Sequence, residues 1–247
     1  MFQRDFEGPL LKVERADHHI QELERLLERY VAENRKRFSP KRQERALKEG
    51  REVRFAEPAR HTPTVLGDAI HNLRASLDHA YCILIEANGH TATDYSKFPF
   101  GKDWPSVKGF INGQIKERSG PSDAVRDFIG AEVQPFPGGR NNLWDLHRLD
   151  ITDKHQRILP MGNYAFLSKI IFRGGEGSAV EFYNAQFANF HGSLAKGAVA
   201  LLEDNIKNAF DVTFGKGQPL EGQPILTTLK TLRANVAEVL KGLSAFL

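Results

Sequence analysis

The sequence predicts an α+β protein: a mainly helical bundle, a small antiparallel sheet over about 157–215, and a C-terminal helix. Three observations predict it. Apolar residues recur at three- and four-residue steps through much of the first 156 residues. The period shortens in the β-prone runs 165–173, 178–183 and 210–214. Helical spacing then returns over 224–246, where Ile225, Leu229, Leu232, Val236, Val239, Leu240 and Leu243 form a continuous stripe.

The first element is a long helix over 8–37, with Leu11, Val13, Ile20, Leu23, Leu26, Leu27 and Tyr30 recurring between charged positions. Over 38–62 the apolar residues thin out, and the segment reads as a basic connector punctuated by Pro58. The stretch 63–156 reads as the helical core. Its strongest helix covers 65–86, with the stripe Leu66, Ile70, Leu73, Leu77, Ala80 and Leu84 and a C-cap signal at Asn88-Gly89. Shorter helices are expected at 104–117 and 122–129. Asn142 reads as an N-cap, with Asp145 three residues on, for a helix ending near Gln156. Beyond it, 157–247 holds the sheet and the last helix, with Gly174-Gly175-Glu176-Gly177 as a hairpin signal. The stretch 193–209 fits either a helix or a further hairpin, because Gly197 weakens both.

At 247 residues, with 40% hydrophobic and 26% charged residues and 17 Phe, the chain carries too much apolar mass for a disordered protein. The length admits one domain or two, and one is expected. No apolar run approaches the ~18 residues that a membrane span needs. MFQRDFEGPL shows no secretory signal, and the single Cys82 fits a reducing compartment, so the cytoplasm is expected. Charge is unevenly spread. Arg35, Lys36, Arg37, Lys41, Arg42, Arg45, Lys48, Arg51 and Arg54 face only Glu44, Glu49 and Glu52, giving +6 in a segment of a chain whose net charge is +3. That local excess makes an anionic partner, RNA or another phosphate-bearing ligand, the natural expectation, with Arg35, Lys36, Arg37, Lys41, Arg42 and Arg45 as contacts.

Two polar clusters interrupt the helical core. In HNLRASLDH, residues 71–79, His71, Arg74 and Asp78 share one side of the helix, with His79 at its edge. In HRLDITDKH, residues 147–155, His147, Asp150 and Lys154 repeat the spacing, followed by His155. The charges are complementary. Parallel packing sets Arg74 against Asp150 and Asp78 against Lys154; antiparallel packing sets Arg74 against Asp150 and Asp78 against His147. Both orientations form pairs, so the expectation is one polar site between the helices, its direction open.

Three chemistries suit such a site. Metal ligation would draw on His71, Asp78, His79, His147 and His155, but Arg74 and Lys154 oppose a cation, and neither a metal nor a cofactor is expected. Acyl transfer finds no Gly-x-Ser-x-Gly elbow. Phosphoryl chemistry needs a cation for the phosphate and a near-neutral His, which Arg74 and His79 provide.

Arg74-Ala75-Ser76-Leu77-Asp78-His79 resembles the Arg-x4-His motif of the HEPN superfamily, helical domains many of which are RNases of bacterial defence and toxin–antitoxin systems. The resemblance covers one helix, or one helical bundle at most. It implies metal-independent RNA cleavage, with His79 moving the 2′-hydroxyl proton, Arg74 stabilising the phosphate, and a site commonly completed in a homodimer. Asp78, His147, Asp150, Lys154 and His155 would then orient groups or contact phosphate. The sequence departs from that family's pattern at Ala75, where a polar residue is usual, and in its second cluster and β-rich region. The pairing of an Arg-x2-Leu-Asp-His helix with a later Asp-Lys-His helix also resembles bacterial proteins of unknown function, which brings no activity. Two other functions stay open: a non-catalytic binding protein whose clusters brace the helices, and a metal-dependent hydrolase.

Overall fold

The computed structural model describes residues 6–155, 161–173, 179–188, 198–201 and 210–247, and side chains over 161–210 only at Ile171. The described chain is mostly helical, with seven α-helices: α1 (Glu7–Arg37), α2 (Pro40–Lys48), α3 (Thr62–Ala87), α4 (Trp104–Lys116), α5 (Asp123–Phe128), α6 (Leu143–His155) and α7 (Ile225–Leu243). Four strands, β1 (Met161–Arg173), β2 (Ala179–Ala188), β3 (Ala198–Leu201) and β4 (Phe210–Phe214), lie between α6 and α7. Contacts gather these elements into two compact units, with residues 160–225 clustering with 22–63.

The first unit comprises residues 1–21, 64–159 and 226–247. Its core forms where apolar stripes meet. Leu66, Ile70, Leu73, Leu77, Ala80 and Leu84 of α3 are all buried, as are Val107 and Ile111 of α4, Leu143, Leu146 and Leu149 of α6, and Leu229, Leu232, Val236 and Leu240 of α7. Each buried Leu, Ile or Val side chain among these contributes about 1.5–3 kcal/mol over its exposed state. Local signals set the helix ends. Asp103 caps α4 by accepting from the Ser106 amide at 2.8 Å, and Ser122 caps α5 through the Val125 amide. Gly89, at φ +79°, closes α3 in the left-handed conformation that glycine adopts without a Cβ clash. Arg233 of α7 donates two hydrogen bonds to the Asp17 carboxylate of α1, at 2.8 and 2.7 Å.

Asn142 does not cap α6 in the expected manner. It follows Asn141 in the left-handed region, at φ 50° against 69°, whereas an N-cap has extended backbone. Asparagine enters that region more easily than most residues, because its short amide bonds locally. Leu11, read from its spacing as a core position, is 54% exposed.

The second unit comprises residues 22–63 and 160–225. β1 pairs antiparallel with β2, setting Ala165 opposite Phe187 and Arg173 opposite Ala179. Its other edge is shared: β4 pairs with Met161 to Ala165 and β3 with Lys169 to Phe172. The 174–177 turn lies outside the described residues. So does most of 193–209, where β3 is the described part. The expected basic connector over 38–62 contains α2. Pro40 at its first position pre-sets helical φ, and the Glu44–Lys48 and Arg45–Glu49 pairs at i,i+4 support it. Phe38 is buried against Phe55, with ring centroids 4.4 Å apart. Asn34 accepts from the Ala56 amide at 2.8 Å, and Arg37 donates to the Phe55 carbonyl at 3.1 Å. These bonds tie residues 54–56 to the end of α1.

Candidate functional sites

α3 and α6 run antiparallel, because the earlier residue of one helix meets the later residue of the other: His71 meets Asp150 and Arg74 meets His147. The two polar clusters therefore come together. They do so about one helical turn away from the register the charges suggested. The His71 Nδ1–Asp150 Oδ1 distance is 3.2 Å, and Arg74 Nε donates to His147 Nδ1 at 3.4 Å. The expected antiparallel partners, Arg74 with Asp150 and Asp78 with His147, are replaced. Asp78 instead ion-pairs with Arg74 on its own helix and accepts from the Phe98 amide at 2.7 Å.

Gly67 of α3 leaves room for the Asp153 side chain of α6. A Cβ there would fall on the Asp153 carboxylate, well inside van der Waals contact. Gly67→Ala is therefore expected to destabilise the first unit by about 1 kcal/mol, overpacking of about 1–3 kcal/mol outweighing a helix-propensity gain of about 1 kcal/mol. Urea titration of the single variant and of Gly67→Ala with Asp153→Ala checks this. The second substitution removes the obstructing carboxylate and should recover most of the loss.

The inner half of the seam is lined by aromatic rings. Arg74 is 4% exposed, lies 4.5 Å from the Phe100 ring centroid, and donates from Nη2 to the Phe98 carbonyl at 3.4 Å. Nη1 sits against the Asp78 carboxylate without forming an aligned hydrogen bond. His147 stacks on Phe100, with centroids 4.3 Å apart and planes 8° from parallel, and Trp144 lies 5.6 Å away. Burial, reinforced by the Arg74 charge and opposed by Asp150, pushes the His147 imidazole down to about 4, so it is neutral at pH 7. A neutral Nδ1 can accept from Arg74.

The outer half sets a buried carboxylate between two part-exposed side chains. Burial alone would raise Asp150, but hydrogen bonds from His71 and from Lys154, at 2.8 Å, outweigh it and hold the carboxyl below its usual range. The His71 side chain is 43% exposed and that of Lys154 37%. His155 is exposed at the end of α6. His79 is also exposed, and its Nδ1 lies 3.8 Å from where a Gly8 Cβ would be. Arg74 makes its contacts with Asp78, Phe98, Phe100 and His147, and His79 is in none of them. The proposed metal ligands do not converge: among the described residues no three His, Cys, Asp or Glu could hold a metal ion. Phe98, Phe100 and Trp144 join the seam without a signal in the sequence. The Lys97-Phe98-Pro99-Phe100 loop has no helical or strand period to flag it.

The second unit offers a different kind of site. A cavity of about 560 Å³ is lined by Glu33 and Arg37 of α1, Arg42, Arg45 and Ala46 of α2, and Glu49 and Arg51 to Arg54 beyond it. No family model, curated protein or solved structure matches the chain. Its chemistry is therefore read from the residues. Arg37 pairs with Glu33 at 3.0 Å, while Arg45 and Arg51 share Glu49. The hydrogen bond from Arg37 leads the effects that hold Glu33 below the usual carboxylate range. Arg42 and Arg54 form no ion pair among the described residues. Of the anticipated contacts, Arg37, Arg42 and Arg45 line the cavity; Arg35, Lys36 and Lys41 do not. Arg51 and Arg54 complete it. Both belong to the +6 segment, but their place in the cavity follows from the chain turning back after α2.

Proposed function

We propose that the protein is a non-catalytic binding module that takes a phosphate-bearing ligand, RNA among the candidates, in the basic cavity of its second unit. The observation that carries this reading is that Arg42 and Arg54 line a cavity of about 560 Å³ and form no ion pair among the described residues, although the Arg42 charge also acts on Glu33. Guanidinium groups suit phosphate oxygens because their donors are planar and paired. The first unit then braces its helices through the α3–α6 seam. The fold class we assign is α+β, a helical bundle carrying a small antiparallel sheet, with a cytoplasmic address.

The ribonuclease reading implied by the HEPN resemblance, with its homodimer and role in defence, receives less support from the geometry. An arginine that stabilises a phosphate must reach it, and Arg74 is 4% exposed with its donors turned to Phe98 and His147. His79 has no orienting carboxylate among the described residues. No helix among the described residues is long and apolar enough to cross a membrane.

Fluorescence anisotropy with a labelled single-stranded RNA tests the proposal. Binding should weaken steeply with salt as phosphate counterions are released, and the RNA should stay intact in EDTA. Cleavage in EDTA that His79→Ala abolishes would restore the ribonuclease reading.

A further inference from the structure

We infer that the cavity of the second unit takes a compact oligophosphate, held by Arg42 and Arg54 through its phosphate groups with no recognition of a base; this rests on the phosphate-binding reading above. The charge of the lining comes first. Five arginines stand against Glu33, Glu49 and Glu52, an excess of two positive charges. Arg37, Arg45 and Arg51 are engaged by Glu33 and Glu49, so Arg42 and Arg54 carry the part of the charge that no ion pair engages. They stand on different parts of the wall, one on α2 and one on the returning segment. Two separate guanidinium groups suit a ligand with at least two linked phosphates better than a single orthophosphate.

The lining also explains why a base has no place. Ala46 and Val53 are its only apolar residues. The nearby aromatics are not part of it: Phe38 is 1% exposed and its ring packs on Phe55. Sequence-tolerant binding of nucleobases depends on exposed aromatic faces, and the cavity presents none. Its volume lies in the range of small-molecule sites. The wall is fixed before any ligand arrives. Arg37 donates to the carbonyls of Arg54 and Phe55, at 3.4 and 3.1 Å, and Asn34 accepts from the Ala56 amide. Holding the Arg54 backbone in place lowers the ordering cost of binding.

Isothermal titration of the full chain with inorganic tripolyphosphate, with orthophosphate, and in competition with a short single-stranded RNA tests this. Tripolyphosphate should bind one to one, about tenfold or more tighter than orthophosphate, and should displace the RNA. Arg42→Ala and Arg54→Ala should each weaken it about tenfold or more, the usual scale for a hydrogen bond to a charged group. Both residues are exposed and form no ion pair among the described residues, so these variants should melt with the parent. Lys41→Ala, which changes a neighbouring charge outside the lining, should cost no more than about twofold. RNA that binds but is not displaced by tripolyphosphate overturns the oligophosphate assignment and leaves phosphate binding standing. Failure of RNA and tripolyphosphate alike overturns both. Tripolyphosphate that binds the Arg42, Arg54 double variant as it binds the parent overturns the location.

Discussion

Arg74→Ala lowers the stability of the first unit by about 3 kcal/mol or more, seen as a lower urea midpoint, while RNA or phosphate binding changes little. The side chain is 5% exposed, and its loss does three things at once. Asp78, 30% exposed, loses its cation but keeps the Phe98 amide, so part of its charge is left without compensation. His147 Nδ1 and the Phe98 carbonyl lose donors in a place that water reaches poorly. The stem also leaves a void beside Phe100. Arg74→Lys should recover little, since one ammonium cannot serve a ring nitrogen, a carbonyl and a carboxylate placed around a flat guanidinium. If Arg74→Ala keeps the parent's midpoint but loses ligand binding, the bracing role assigned to the seam is wrong.

The second large effect is acid lability traceable to His147. Its folded-state pKa, about 4, lies below the ordinary 6.5, so the unfolded chain takes up the proton first. Stability is then fully present above about pH 6.5, falls as the pH drops toward 4, and loses nothing more from this residue below that. A tenfold difference in proton affinity between the folded and unfolded chain is worth about 1.4 kcal/mol, which sets a ceiling of about 3–4 kcal/mol; partial solvation of the ring brings the expected loss nearer 2 kcal/mol. His147→Asn keeps an acceptor near the Nδ1 position and cannot titrate. Subtracting its pH profile from the parent's should isolate a decline confined to pH 6.5–4. Asp150, whose carboxyl lies below its usual range, loses its share only at lower pH, so the two windows separate. Parallel profiles for parent and variant would refute the assignment.

The sequence made some parts of this molecule readable for physical reasons. α3 is legible because a Leu and Ile stripe at helical spacing ends in Asn88-Gly89, and the structure buries each stripe residue and turns Gly89 left-handed. α7 is legible from its continuous stripe, every residue of which the structure buries. α2 is not, because Gln43 is its only buried residue and its support comes from charge pairs that look like a solvated linker in sequence. The meeting of the two clusters can be foreseen from complementary charges, but their register cannot. Repeats at three- and four-residue steps let a one-turn slip exchange one set of plausible partners for another. The observed register seats the Asp153 carboxylate over Gly67 and Phe100 against Arg74 and His147, and neither the space at Gly67 nor the Phe100 ring can be read from the charge pattern.

The neighbourhood of Trp144 gives the seam an optical reporter. The indole lies 5.6 Å from the His147 imidazole, while the chain's other tryptophan, Trp104, packs at Gly130. A protonated imidazole at van der Waals range quenches indole emission and a neutral one does so much less. Emission from a Trp104→Phe protein would therefore dim as His147 gains its proton, and the midpoint of that dimming would measure, with no added label, the proton affinity that burial and the Arg74 charge give this imidazole.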